Sequence, residues 1–431
     1  MKTNEKDTKQ GVVPALRFPE FRKNEEWNIP HLRQISTRII TRVGNSKLLP
    51  VSISAGVGFL PQTEKFGRDI SGEQYRNYII LNRGEFAYNK GNSKKYPQGC
   101  VCRLEEFDRV AAPNTFLCFR FNDNVIPDFF KGYFDSNYHG KQLQNVITSG
   151  ARSNGLLNIS ADEFFNIILP TPKDKEEQQK IAECLSSIDA LIKAAENKID
   201  ELKAHKKGLM QQLFPAEGKS VPALRFPEFQ NAGEWKPYKL NDFGSFFRGL
   251  TYSTADVSND NDGIGVLRST NIQNNRLILD KDLVFVNKTC TSEQRLQKGD
   301  VVICMSNGSK ALVGKNAELD QDISYNLTVG AFCSIFRPKN VFAKYLLQTD
   351  SYTKFVALAI GGGNINNLKN SDLENFVQFA PAKSEEQQKI ADCLSSIDNL
   401  IIAQTNRLEA LKAHKKGLMQ QLFPNLNNHK E

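Results

Sequence analysis

The stretch from Glu177 to Pro215 returns almost unchanged as Glu386 to Pro424, with 30 of 39 positions identical at a constant offset of 209. Gln178 to Ala182 matches Gln387 to Ala391, Cys184 to Asp189 matches Cys393 to Asp398, and Lys203 to Pro215 matches Lys412 to Pro424. Two near-copies spaced by a domain's length require a molecule made of two similar halves.

Within each copy the apolar residues step by alternating fours and threes. The first seam reads Ile181, Leu185, Ile188, Ile192, Ile199 and Leu202, and the second Ile390, Leu394, Ile397, Ile401, Leu408 and Leu411. A 3.5-residue rhythm is the pattern a helix needs to bury one stripe along a partner helix. Asp174 and Ser384 are candidate caps, with Glu177 and Gln387 three residues on. The acidic pairs Glu176-Glu177 and Glu385-Glu386 suit the positive first turn, and Pro215 and Pro424 mark the stops. A helix of about 40 residues is about 60 Å long, more than one globular core can cover.

Each helix follows a globular segment, and each globular segment follows a Pro-Phe lead. Val13 to Phe21 with Trp27 reappears as Val221 to Phe229 with Trp235, at an offset of 208. Proline keeps these leads out of helix interiors, so they are expected to be extended staples whose Phe and Trp side chains pin to a domain surface. The division is residues 1–172, a helix at 173–214, a second globular segment at 215–380, a second helix at 381–424 and a tail at 425–431. In the globular segments Asn82 to Tyr88 pairs with Gln297 to Ile303, and Phe116 to Arg120 with Phe332 to Arg337, as turns and strands. Asp128 to Val146 and Phe342 to Ile360 pattern as helices. The fold class predicted is α+β, two mixed α/β domains with short, mainly antiparallel strands, separated by two long helices that pair antiparallel about a pseudo-two-fold axis.

Charge and motif content exclude several classes. The net +8 sits mainly in residues 1–172, at +6, while 173–214 is neutral and the two later segments carry +1 each. A basic globular domain beside neutral helices suggests a polyanion on the first and protein on the second. No apolar run reaches membrane-span length and Met1 to Gln10 is polar, so neither an anchor nor a signal peptide is expected. The eight cysteines lack Cys-x-x-Cys spacing and histidines nearby, which speaks for reduced cytoplasmic thiols and against zinc. There is no phosphate-binding G-x-x-x-x-G-K-[ST] loop, no Asn-Pro-Pro-aromatic tetrad and no histidine clustered with a nucleophile. No catalytic or metal-ligating set is expected.

What remains is binding chemistry. Tyr88 to Tyr96 contains Lys90, Asn92, Ser93, Lys94 and Lys95: amines for phosphates, and amides able to pair with adenine. Met305 to Lys310 holds the matching place, with Ser306, Asn307, Ser309 and Lys310. Arg152, Ser153 and Asn154 mirror Asn364 and Asn366 in the loops that follow the expected helices. Arg248, Thr251, Tyr252, Arg268 and Asn271 extend the set in the second half. Each loop alone reads more readily as a solvated turn; recurrence at matched places brings the binding reading level with it.

Leu202 to Pro215 and Leu411 to Pro424, both Leu-Lys-Ala-His-Lys-Lys-Gly-Leu-Met-Gln-Gln-Leu-Phe-Pro, closely resemble the specificity subunits of type I restriction-modification systems. So do Glu-Glu-Gln-Gln-Lys-Ile-Ala at each helix start and the order variable domain, repeat helix, variable domain, repeat helix. The resemblance implies a non-catalytic reader of double-stranded DNA whose two target recognition domains each read half of a split sequence, with the helices as a ruler. It also implies two modification subunits docked on the helices, bringing S-adenosylmethionine, and restriction subunits bringing ATP and Mg2+; none of these cofactors is expected on this chain. The rival readings are a scaffold that binds proteins or sugars, and an autonomous methyltransferase or nuclease.

Overall fold

The computed structural model describes residues 11–54, 56–91, 96–147, 157–258, 262–361 and 366–424. It is an α+β structure of two compact units, residues 1–196 with 406–431 and residues 197–405. The repeats form helices of 39 residues each, Lys175–Leu213 and Ser384–Leu422. The division into units falls inside both helices, not at the helix ends at 172, 214 and 380. Each unit therefore contains the start of one long helix and the end of the other.

In the first unit β1 (Ser36–Arg38), β2 (Leu49–Ser54), β3 (Gly58–Pro61), β4 (Ile79–Asn82), β5 (Phe86–Asn89), β6 (Cys100–Arg103), β7 (Arg109–Ala112) and β8 (Leu117–Phe121) form two sheets, ordered β1-β8-β5-β6 and β3-β2-β7-β4. Side chains alternate faces along a strand. Ala87 and Cys118 accordingly meet Val51, Phe59 and Val110 between the sheets, while Phe86, Phe119 and Phe121 face a second, aromatic core. There Phe121 stacks on Phe130 with centroids 4.2 Å apart, and Ile181, Leu185, Leu422 and Phe423 of the long helices close the core. Lys415 meets Asp189 at 2.6 Å and Lys412 meets Glu196 at 3.0 Å, so the two helix segments in this unit run in opposite directions. A Cβ on Gly132 would lie 2.6 Å from Leu185 Cδ1, so any larger residue there would force the buried Leu185 side chain to shift. The helix expected over Asp128 to Val146 is two helices, Pro127–Asp135 and Tyr138–Leu143. Asn137, at φ 55°, is left-handed and interrupts the ladder.

The second unit holds β9 (Lys236–Lys239), β10 (Gly244–Arg248), β11 (Ile264–Leu267), β12 (Ile272–Gln273), β13 (Arg276–Leu277), β14 (Val284–Val286), β15 (Val301–Cys304), β16 (Asn316–Glu318), β17 (Leu327–Val329), β18 (Cys333–Pro338) and β19 (Val377–Ala380). The largest sheet runs β10-β18-β15-β16-β13-β12, with smaller sheets β14-β11-β17 and β19-β9. One face of the large sheet packs Ile303 and Phe336 on Tyr345, Leu213, Ile390 and Leu394; the other packs Val302 and Ile335 on Leu267 and Val329. Asp398 accepts from Lys206 at 2.7 Å and from Tyr345 Oη at 2.9 Å. The helix expected over Phe342 to Ile360 is also divided, into Ala343–Leu346 and Asp350–Ala359. The Thr349 hydroxyl accepts from Tyr352 N at 3.1 Å and starts a new helix there.

The seam is closed most fully where each helix start meets a globular core. Ile181, Leu185, Ile188, Ile199, Ile390, Leu394, Ile397 and Leu408 are buried, whereas Ile192, Leu202, Ile401 and Leu411 are half-buried. The leads are fastened by one joint made twice. Arg17 donates from Nε and Nη2 to the two carboxylate oxygens of Glu177, both at 2.7 Å, and Trp27 Nε1 donates to Oε1 at 3.1 Å. Arg225, Trp235 and Glu386 repeat this at 2.7, 2.7 and 3.2 Å. Glu177 is thus engaged by the lead instead of capping its own helix. Asp174 Oδ1 does accept from Glu176 N at 2.9 Å, but Ser384 lies inside its helix and Gln387 donates to the Pro381 carbonyl at 2.8 Å.

Candidate nucleic-acid interface

Four strands of the second unit end at one place. β11 and β17 are parallel, Leu267 beside Val329, so their carboxyl ends lie together. β10 and β15 both run antiparallel to β18, Arg248 opposite Ser334 and Cys304 opposite Cys333, so their ends flank its start. The turn from Gly330 to Phe332, joining β17 to β18, is the hub. Leu250 N donates to Val329 O at 2.7 Å, Gly330 N to Leu267 O at 2.8 Å, and Met305 N and Ser306 N to Phe332 O at 2.8 and 3.2 Å. A Cβ on Gly249 would fall 2.1 Å from the Gly330 carbonyl oxygen, so the Arg248 loop can cross this turn only with glycine there.

Side chains tie the same loops together. Asn307 Nδ2 donates to Ser269 Oγ at 3.1 Å, and Asn366 Nδ2 donates to the carbonyls of Asn307 at 3.3 Å and Gly308 at 3.1 Å. Arg248, Thr251, Tyr252, Arg268, Ser306, Asn307, Ser309, Lys310 and Asn366 are thereby brought to one end of the domain, with Arg248, Thr251, Arg268, Ser309 and Lys310 exposed. Asn271 is different. It is 1% exposed, its Oδ1 accepts from Arg268 N at 2.9 Å, and its Nδ2 donates to the carbonyls of Ile278 and Lys281 at 3.0 and 2.9 Å. Both amide hydrogens and the amide oxygen are engaged in folding the turn that carries Arg268.

The first unit follows the same plan. Arg38 stands opposite Phe119 and Tyr88 opposite Leu117, so the exits of β1 and β5 flank the start of β8. Lys90 follows β5, donates to the Ile159 carbonyl and accepts from Leu157 N at 3.0 Å through its own carbonyl. The matching backbone bond, Leu368 N to Met305 O at 2.8 Å, joins the corresponding loops of the second unit. Asn92, Ser93, Lys94, Lys95, Arg152, Ser153, Asn154 and Asn364 lie outside the described residues.

Strand register corrects one pairing made from sequence and adds residues it missed. Phe119 opposes Phe86 as Phe336 opposes Val301, so Thr115, not Phe116, holds the place of Phe332. By the same register Ile40 stands where Arg248 does, between exposed Arg38 and Arg42. Arg42 Nη1 reaches Asn77 Oδ1 at 3.4 Å, and Ile40 is 69% exposed. The alternation of Arg38, Ile40 and Arg42 was the available signal, but only the strand exit gives it meaning.

Chemically the cluster offers cations, amides, hydroxyls and aromatic edges. The nearby Cys304 thiol is pushed up by burial, and that of Cys333 to about 12 by burial and by Cys304, so both stay protonated and inert. Among the described residues no group of three or more His, Cys, Asp or Glu could hold a metal, and no helix is long and apolar enough to cross a membrane. Donors and cations at strand ends, without a nucleophile paired to a base, suit recognition.

A family model described as the type I restriction modification DNA specificity domain matches residues 74–204 and 232–413. The chain belongs to this family. Each match takes in most of one globular segment and most of the long helix that follows, so the specificity domain occurs twice. The chain is similar to the EcoKI specificity subunit of Escherichia coli (strain K12), 30% identical over 175 residues, which are 38% of this chain and 37% of that one. It is similar to the StySPI specificity subunit of Salmonella potsdam, 29% identical over 193 residues, 43% of this chain and 41% of that one. These matches span about two fifths of the relatives' own length. The solved S subunit of a type I restriction-modification system from M. genitalium shares the fold, with a TM-score of 0.56 and 15% identity over 96% of this chain and 100% of its own.

Proposed function

We propose that this chain is the non-catalytic DNA-specificity subunit of a type I restriction-modification complex. Each unit reads one half of a bipartite double-stranded target with the loops at its strand ends. The two long helices pair antiparallel about a pseudo-two-fold axis, set the gap between the half-sites and dock two modification subunits. Methyl transfer from S-adenosylmethionine, and ATP- and Mg2+-dependent translocation and cleavage, belong to the modification and restriction subunits.

The observation that carries this reading is the same loop assembly made twice. The loop leaving β5 or β15 is bonded to the loop at residues 157–159 or 366–368, beside an exit strand bearing exposed arginine. Opposed helix directions within the first unit support the spacer. At about 34 Å per turn of duplex, helices of about 60 Å would span one to two turns.

Exchange of residues 28–172 for the equivalent domain of a relative tests the reading. Half of the methylated sequence should change while the other half and the gap stay fixed, read by methylation-sensitive sequencing. A scaffold would leave the methylated sequence unchanged, and methyl transfer by the chain without partners would make it an enzyme.

A further inference from the structure

The hub turn of the second unit carries an aromatic side chain where folding has no use for one. Phe332 is 69% exposed and follows exposed Ala331, although its carbonyl is held by Met305 N and Ser306 N, and Gly330 and Cys333 on either side of that pair are buried. The backbone is therefore fixed on both sides while the ring projects into water. Around it, on loops bonded to the same turn, stand the exposed cations of Arg248, Arg268 and Lys310. The Tyr252 ring lies against Gly330, 3.6 Å from where its Cβ would be. A lone phenyl ring costs solubility and adds nothing to a phosphate clamp. Within a cationic rim it suits a surface that is apolar inside a polyanion, which in duplex DNA is the base edge carrying a methyl group.

We propose that Phe332 is a specificity-determining residue whose ring contacts the 5-methyl group of a thymine in the half-site read by the second unit. This rests on the reader function proposed above and narrows it to one base. The first unit, with Thr115 in the matching place, has no such ring there.

The test uses the full chain assembled with its modification subunits. The methylated sequence is first determined, and binding is then titrated with duplexes in which each thymine is replaced in turn by uracil, which lacks only the methyl. For the wild type, one position should weaken binding about fourfold, the worth of one buried methyl group. F332A should bind the thymine duplex about tenfold more weakly and be indifferent to uracil at that position. F332L, which keeps an apolar tip, should recover most of the loss, and all three should melt together because the ring is exposed.

A wild type with no specific binding to any duplex would remove the reader function and this inference with it. Specific wild-type binding with F332A unchanged would remove the inference alone. So would a target without thymine, a uracil effect that persists in F332A, or a kinked duplex in which the ring wedges between bases.

Discussion

Glu177→Ala is the most informative single change, because it removes one member of a buried three-residue joint. The Glu177 side chain is 1% exposed and accepts from Arg17 twice and Trp27 once. Its loss strands an Arg17 guanidinium that is itself 7% exposed, with only the carbonyls of Asn24 and Glu25 left to receive it. Removing one partner of a buried pair costs about 3–5 kcal/mol, and the orphaned indole N–H adds about 1 kcal/mol. With a urea slope of about 2 kcal/mol per molar, the first unit's midpoint should fall by about 2–3 M. The protein supplies its own probe, since its two tryptophans are the indoles of the two joints. In a W235F background emission reports on the first unit alone, and in W27F on the second. E177A should move the Trp27 transition, and R17M/E177M should recover at least half of the loss because an apolar pair leaves no uncompensated charge. A midpoint within about 0.3 M of wild type, or a double variant as weak as the single, would refute the reasoning.

Four further outcomes are expected. L185D together with L394D places charges at buried positions, at a cost of several kcal/mol each; co-purification with the modification subunit should be lost, and unchanged assembly would mean the seam is misread. Asn271→Ala should lower stability by about 1–3 kcal/mol and leave the methylated sequence unchanged, because its amide serves only the turn. Gly132→Ala should destabilise the first unit through the clash with Leu185, and L185A in the same chain should relieve part of the loss, as a double-mutant cycle will measure. His139 lies wholly buried beside Tyr88 and Phe134, and burial pulls its imidazole down to about 4. The unfolded chain protonates it near 6.5, so its contribution to stability is whole above about pH 6.5 and falls by about 3 kcal/mol as pH drops through 4; H139F should lack that part of the pH slope in denaturant melts.

The long helices and their buried stripe were legible because periodicity is local and was written twice. The leads were legible as attachments from their proline and aromatics. Pro19–Phe21 and Pro227–Phe229 are nevertheless 3-10 turns and not extended, because proline at a first helical position suits a turn as well as a strand. The joint was not legible. Arg17 and Glu177 are 160 residues apart, and Glu177 also satisfied a capping rule that explained it well enough. The two divided helices failed for a smaller reason. Asn137 and Thr349 each change one backbone angle or accept one N–H, which a hydrophobic pattern cannot register. Among the candidate site residues, Ser306, Asn307 and Asn366 were named from their matched places and lie on loops that the structure bonds together. Asn271, by contrast, is taken up by its own turn, and an amide that builds a turn looks the same in sequence as one free to read a base. Arg38, Ile40 and Arg42 were passed over because their meaning comes from strand register alone.

The way the chain is divided sets an order for its synthesis. The second unit is one uninterrupted stretch, 197–405, and can close as soon as it leaves the ribosome, whereas the first, though begun earlier, needs Leu422 and Phe423 to finish its core. At about 5–20 residues per second the older unit waits for tens of seconds with Ile181 and Leu185 uncovered. The part made first is the part completed last, and nascent chains stalled before residue 406 should draw chaperones to their amino-terminal half.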